Sequence, residues 1–375
     1  MFFFPGNRLG GLGGLAIWLC QLSAVALGQA AESRAEPVSV FPSEVGLVVN
    51  GRQQLVVQQR LASGLLHDLS RVALFSSSDP SVVSVADGVA HALGEGLAKV
   101  RVEAAGQVAS VDVAVGPKPI GVQLSFVADV LPVLGRAGCA SGACHAKPKG
   151  QNGFSLSVFS FDPVADFREI VKDQRGRRVF PALPAESLVL KKPTLAVAHD
   201  GGKRLEVGSP FYQIIHDWIS QGMLYQRTGE PELAGISVFP NEQRYAKSDE
   251  QQLVVTARFV DGSTRDVTHL ADFSSNEKEI AEPDEGGIVR VGRLSGEGVI
   301  VVRYMGHVAQ ARITVPTDRH YNDAVYAGLP RHNFIDDFAY AHFQKLGLLP
   351  SEICSDSEFI RRAFIDVIGL LPELG

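Results

Sequence analysis

Three peptides of this chain recur at one fixed interval. Val40-Phe41-Pro42 is matched by Val238-Phe239-Pro240, Gln53-Gln54-Leu55-Val56-Val57 by Gln251-Gln252-Leu253-Val254-Val255, and Phe75-Ser76-Ser77 by Phe273-Ser274-Ser275, each 198 residues further on. A fourth pair, Gly94-Glu95-Gly96 and Gly296-Glu297-Gly298, keeps the order at an offset of 202, as a four-residue insertion in one loop would produce. Matches in the same order are an internal repeat, so the chain is expected to fold as two related modules with a different segment between them.

Each copy has short β-rich runs bounded by turn residues. In the first they are Val38 to Phe41, Gln54 to Val57, Val82 to Val85, Leu97 to Val102 and Val108 to Val115. Short strands at this spacing predict an antiparallel β-sandwich. Ser-Ser ahead of a β run, a Gly-x-Gly turn and then an apolar strand make the two copies resemble the bacterial Ig-like domain of group 2, over 36–116 and 236–316. The histidines here, His67, His91, His269 and His307, stand singly, and Asp79, Asp87, Asp261 and Asp266 are expected to cap backbone amides in turns.

With 375 residues, 45% of them apolar and 20% charged, the chain can bury two to four cores. Its net charge of -6, with one short basic cluster at Arg175-Gly176-Arg177-Arg178, argues against a nucleic-acid partner. Arg8, an uncharged and largely apolar run from Leu9 to Leu27, and Gly28-Gln29-Ala30 read as a signal peptide over 1–30, cleaved after Ala30. Membrane contact is then expected only through this segment if it stays uncleaved, and the mature chain is exported to the periplasm or cell surface. Cys20 leaves with the signal, and Cys139, Cys144 and Cys354 remain.

Residues 117–235 change character. Val127 to Ala137 and Pro210 to Gly222 have helical periodicity, the second with Ser209-Pro210 at its start and Gly222 at its end. Ahead of these helices' closure lies Gly138-Cys139-Ala140-Ser141-Gly142-Ala143-Cys144-His145, a widened form of the C-x-x-C-H sequence that attaches c-type haem. In such a site both thiols become thioethers and the histidine binds iron. From spacing alone three readings stand: covalent haem, a Cys139–Cys144 disulfide, or another metal.

A resemblance favours the first. Gly138 to His145, then Gly150-Gln151-Asn152-Gly153-Phe154, Phe161-Asp162-Pro163, Arg175-Gly176-Arg177-Arg178, Pro184-Ala185-Glu186-Ser187 and His199-Asp200-Gly201-Gly202-Lys203-Arg204 resemble the cytochrome c-like domain of large exported planctomycete proteins. Those proteins combine it with group 2 Ig-like modules and C-terminal domains of unknown function. Cys354-Ser355-Asp356, Phe359-Ile360-Arg361-Arg362 and Ile368-Gly369-Leu370-Leu371-Pro372 resemble the opening of the first such C-terminal domain, so 325–375 is expected to be the truncated start of a helical domain. Two departures are the four residues between Cys139 and Cys144, where two are usual, and the early end of the chain, which suggests a fragment.

The expected whole is multidomain, β plus α: two Ig-like sandwiches flanking a mainly α cytochrome c-like domain over 117–235. Cys139 and Cys144 attach haem c and His145 is the proximal iron ligand. His199, in a glycine-rich loop, is the expected distal ligand, with Met223 as its alternative and His216 third. Arg177, Arg178 and Arg204 are propionate contacts, the plain alternative being solvated surface arginines. The expected function is electron transfer or redox sensing with a redox partner that the sequence does not name. The alternative is a haem-free structural or adhesive cell-surface protein whose modules bind a protein or polysaccharide. Either is an electron carrier or binding module more than a self-contained enzyme, since no hydrolytic constellation is present.

Overall fold

The computed structural model describes residues 36–117 and 121–372; the expected signal segment lies outside them. In the first module the long strands Gly96–Ala104 and Gln107–Gly116 form a hairpin, paired antiparallel from Gln107 opposite Ala104 to Val115 opposite Gly96. Alternation sorts their side chains: Ala98, Val100, Val102, Val111 and Val113 are buried, while Leu97, Lys99 and Asp112 face outward. The strand Glu44–Val48 adds on the hairpin's edge in parallel, with Glu44 opposite Asp112. The strands Arg52–Gln54 and Val56–Arg60, one residue apart, carry the chain between two smaller sheets of the opposite layer. Leu55, Val57, Val83 and Ala90 close the core from that side.

The second module repeats this sheet order strand for strand. Its hairpin is Gly296–Tyr304 with His307–Val315, Gly296 opposite Val315, and Glu242–Arg244 pairs in parallel with Glu242 opposite Arg312. The registers therefore place Gly96 on Gly296, an offset of 200. This corrects the expected alignment of Gly94-Glu95-Gly96 with Gly296-Glu297-Gly298. The first strand residue must be glycine: φ is +142° at Gly96 and +154° at Gly296, and a Cβ would lie 3.1 Å from Val82 Cγ2 or 2.8 Å from Ile280 Cδ1. The extra residues are shared between two turns, since Gln54 pairs with Val89 but Gln252 with Ile288, an offset already grown to 199.

The two sandwiches clasp each other through equivalent residues. Phe41 stacks on Phe239 with ring centroids 3.7 Å apart, and each precedes a cis-proline. Asp266 Oδ2 accepts the backbone N–H of Gln54 at 2.5 Å, and Asp68 Oδ2 accepts that of Gln252 at 2.6 Å. Asp266 was expected to cap a turn. Its Oδ1 does accept the Thr268 N–H, but its other oxygen reaches into the first module. Asp79 and Asp261 cap Ser81 and Ser263 locally as expected.

Between the modules, residues 121–232 form a third core from Phe126, Leu131, Ile170, Leu190, Ile215, Trp218 and Ile219. The helices are short: α1 Leu131–Arg136, α2 Pro163–Val171, α3 Leu188–Lys191 and α4 Pro210–Ser220. Much of the domain between them is turn, less helical than expected. The predicted helix over Val127 to Ala137 opens as a π-helical turn, Phe126–Val130, and Pro132, with no N–H to donate, sits at the change to α1. In α4 the Ser209 hydroxyl accepts the Tyr212 N–H, and Tyr212, Ile215, Trp218 and Ile219 turn one face inward.

After the second module come α5 Asp323–Ala327, α6 Phe334–Leu346 and α7 Asp356–Ile368. Asn333 with Asp336 and Ser355 with Glu358 form capping boxes, and Gly347 and Gly369 end α6 and α7 in the left-handed conformation. Leu346 of α6 is buried, while α7 has no buried residue. No described helix is long and apolar enough to cross a membrane.

Candidate cofactor site in the central domain

Gly138, at φ +76°, ends α1 and releases the cysteine loop. The loop is tied by backbone hydrogen bonds: the His145 N–H to the Cys139 carbonyl at 3.1 Å, and the N–H groups of Cys144 and Ala146 to the Ser141 carbonyl at 3.0 Å each. Cys139, Ala143, Cys144 and His145 all line one cavity of about 410 Å³, while Ala140 turns into the central core. Both cysteines are free thiols. Burial, helped by the neighbouring Cys144, pushes the Cys139 thiol up to about 11. Arg204 Nη2 lies 3.9 Å from Cys144 Sγ.

His199 lines the same cavity. Its ring centre is 6.3 Å from that of His145, with the planes 16° from parallel. Each Nδ1 meets a backbone carbonyl: His145 that of Phe154 at 3.2 Å, His199 that of Gly202 at 2.8 Å. A carbonyl only accepts, so in each ring Nδ1 donates and Nε2 is the nitrogen left without a carbonyl partner. Burial holds the His145 imidazole below its ordinary pKa, which keeps it neutral near pH 7. Glycine at 201 leaves the His199 ring its place: a Cβ there would lie 2.9 Å from His199 Cε1 and 3.1 Å from its Nε2, so the imidazole would have to shift.

The three arginines also reach the cavity wall, with unequal freedom. Arg178 is buried and donates to the carbonyls of Gly153, Glu169 and Asp173, while stacking 4.6 Å over the Phe154 ring. Its guanidinium braces the loop that carries the His145 acceptor. Arg177 is exposed, and Arg204 donates Nε to the Gly201 carbonyl. Met223 packs against the central core and is not among the cavity-lining residues. His216 pairs with Asp217 at 3.0 Å and stacks near Tyr212, also away from the cavity.

Sequence reasoning missed the parts supplied by backbone. Gly150, at φ +57°, lies so close to Phe154 that a Cβ would fall 2.0 Å from the Phe154 carbonyl oxygen, the same oxygen that orients His145. Lys192, unmarked in the sequence, lines the cavity with its Nζ on the Ala198 carbonyl. Asn152-Gly153 was the only signal that this loop turns tightly.

The two imidazoles, with ring centres 6.3 Å apart on one cavity, are near enough for a single metal-bearing group to be held by both. Among the described residues no group of three or more His, Cys, Asp or Glu converges on a metal position. The donor set therefore suits a metal that brings most of its own ligands, as haem does, better than a bare ion. Val133, Leu134, Leu156, Val189, Leu205 and Ile215 give the cavity an apolar wall, and Arg177 and Arg204 give it cations. The residues present fit a haem.

No family model and no curated protein matches the chain. Among solved structures, domains 5-6 of the S-layer protein SbsC are similar over 76% of this chain and 99% of theirs, at 9% identity and a TM-score of 0.29. Extracellular domains 3-5 of Drosophila OTK are similar over 75% of this chain and 61% of theirs, at 6% identity and a TM-score of 0.16. These scores add nothing to the sandwich architecture, which rests on the strand pairing itself.

Proposed function

We propose that this is an exported modular protein whose central domain holds a c-type haem and serves one-electron transfer or redox sensing. The observation that carries the reading is the His145–His199 pair, 6.3 Å apart on one cavity with both Nδ1 atoms committed to carbonyls. Cys139 and Cys144 would hold the group as thioethers, and His145 and His199 would bind its iron. When bound, the haem supplies a reversible one-electron change at iron. The chain's own residues do the rest. The Phe154 and Gly202 carbonyls fix each imidazole's tautomer, Arg178 braces the Phe154 loop, the apolar wall excludes water, and Arg177 and Arg204 offer positive charge to carboxylates.

The test is to express the mature chain with a haem-ligation system and look for a Soret band that survives denaturation and acid-acetone extraction. Absence of covalent Soret absorbance sinks the reading. A second reading is a haem-free structural or adhesive surface protein. It is supported by the paired sandwiches, one of which leaves its outer sheet face bare at Leu97, 80% exposed. A loop that stays thiol-reactive in chain matured beside the ligation system would favour it.

A further inference from the structure

The two sandwiches present one surface in two conditions. On the second, Glu297 sits opposite Thr314 and Glu242 opposite Arg312, and these outward positions carry α6. Lys345 ion-pairs with Glu242 and, at 3.3 Å, with Glu297, while His342 Nδ1 is 3.9 Å from the Glu297 carboxylate. Thr314 is fully buried beneath. On the first sandwich the same registers place Leu97 opposite Ala114 and Glu44 opposite Asp112. These four line a shallow concavity of about 730 Å³. Leu97 and Ala114 are exposed there.

We infer that this bare corner seats a helix from a second copy of the chain, and that the helix is α7. The internal repeat shows what such a corner takes: a helix bringing a cation to the shared glutamate, Glu242 in one module and Glu44 in the other. α7 has that chemistry. Arg361, Phe364, Ile365 and Ile368 recur at helical spacing on one face, the three apolar residues 40%, 42% and 56% exposed. Arg361 meets Glu44, and Phe364 and Ile365 cover Leu97, which stands where the second module has Glu297. Exchange of α7 in both directions is isologous and closes as a dimer.

Sedimentation equilibrium of the mature chain tests this. A dimer is expected at micromolar concentration. Leu97→Lys and, separately, Phe364→Asp, both at exposed positions, each weaken it by about tenfold or more. Glu44→Arg weakens it as well, and adding Arg361→Glu restores it. A chain that stays monomeric up to about 100 µM, a range that would detect even weak association, overturns the inference. So does a dimer indifferent to both Leu97→Lys and Phe364→Asp.

Discussion

The Asp266 carboxylate accepts the backbone N–H of Gln54 at 2.5 Å across the boundary between two sandwiches, and Asp68 returns the contact to Gln252. Asp266 is almost wholly buried, and its second oxygen is taken by the Thr268 N–H and hydroxyl. Asp266→Ala leaves those donors unmatched and is expected to cost about 3 kcal/mol; Asp68→Ala, in the more open of the two sites, about 2 kcal/mol. The measurement is urea denaturation of each variant. A loss under about 0.5 kcal/mol for Asp266→Ala would be ordinary for a surface change and would remove the clasp from the stability account.

His269 gives a pH dependence with a definite sign. Burial, with Arg52, Arg136 and Arg265 adding repulsion, holds its pKa down to about 4, and its Nδ1 is without a hydrogen-bond partner. The folded chain thus binds this proton less readily than the unfolded chain, whose imidazole titrates at its ordinary 6.5. Stability from this group is complete above pH 6.5 and is lost as pH falls toward 4, by up to about 3 kcal/mol. His269→Gln is expected to flatten the stability profile between those limits. An unchanged slope would show that other groups govern it.

Gly150→Ala tests how the His145 acceptor is held. A Cβ there would overlap the Phe154 carbonyl, and the backbone already has φ +57°. The loop must rearrange, at a cost of about 2 to 4 kcal/mol. Thermal unfolding reads the cost, and the proton-exchange rate of the His145 ring N–H, which rises when Phe154 no longer accepts it, reads the local effect.

Gly201→Ala acts on the other imidazole. Its Cβ would sit 2.9 Å from the His199 ring. If the proposed function holds, covalent haem content is unchanged while the reduced spectrum shifts, in the same direction as is expected of His199→Ala. A wild-type spectrum in both variants would detach His199 from the iron.

The repeat was legible because the positions that shape each sandwich core kept their residue types at a constant spacing. Its one misplaced correspondence came from matching letters: two Gly-Glu-Gly triplets align by eye, but only the strand-initiating Gly96 and Gly296 share a backbone conformation. Cys139, Cys144, His145 and His199 were legible as reactive side chains, and the fold brings them to one cavity. What orients them was not, because the Phe154 and Gly202 carbonyls belong to the backbone and leave no mark in residue type. Arg178 looked like its neighbour Arg177; burial alone separates a brace from a surface cation. The clasp was hidden for a similar reason, since Asp266 reads as a turn residue until a partner 212 positions away is in place.

The clasp also fixes where a pulling force would travel. The chain leaves the first sandwich at Gly116 and enters the second at Leu233, with the whole central domain between these points. Because the sandwiches grip each other directly through Phe41 and Phe239 and the two aspartates, tension between them runs through those contacts in parallel with the domain. Parting the sandwiches therefore has to break the aromatic stack, both aspartate bonds and the Arg60–Gln243 and Arg71–Glu250 contacts beside them before the path through the central domain carries the load alone.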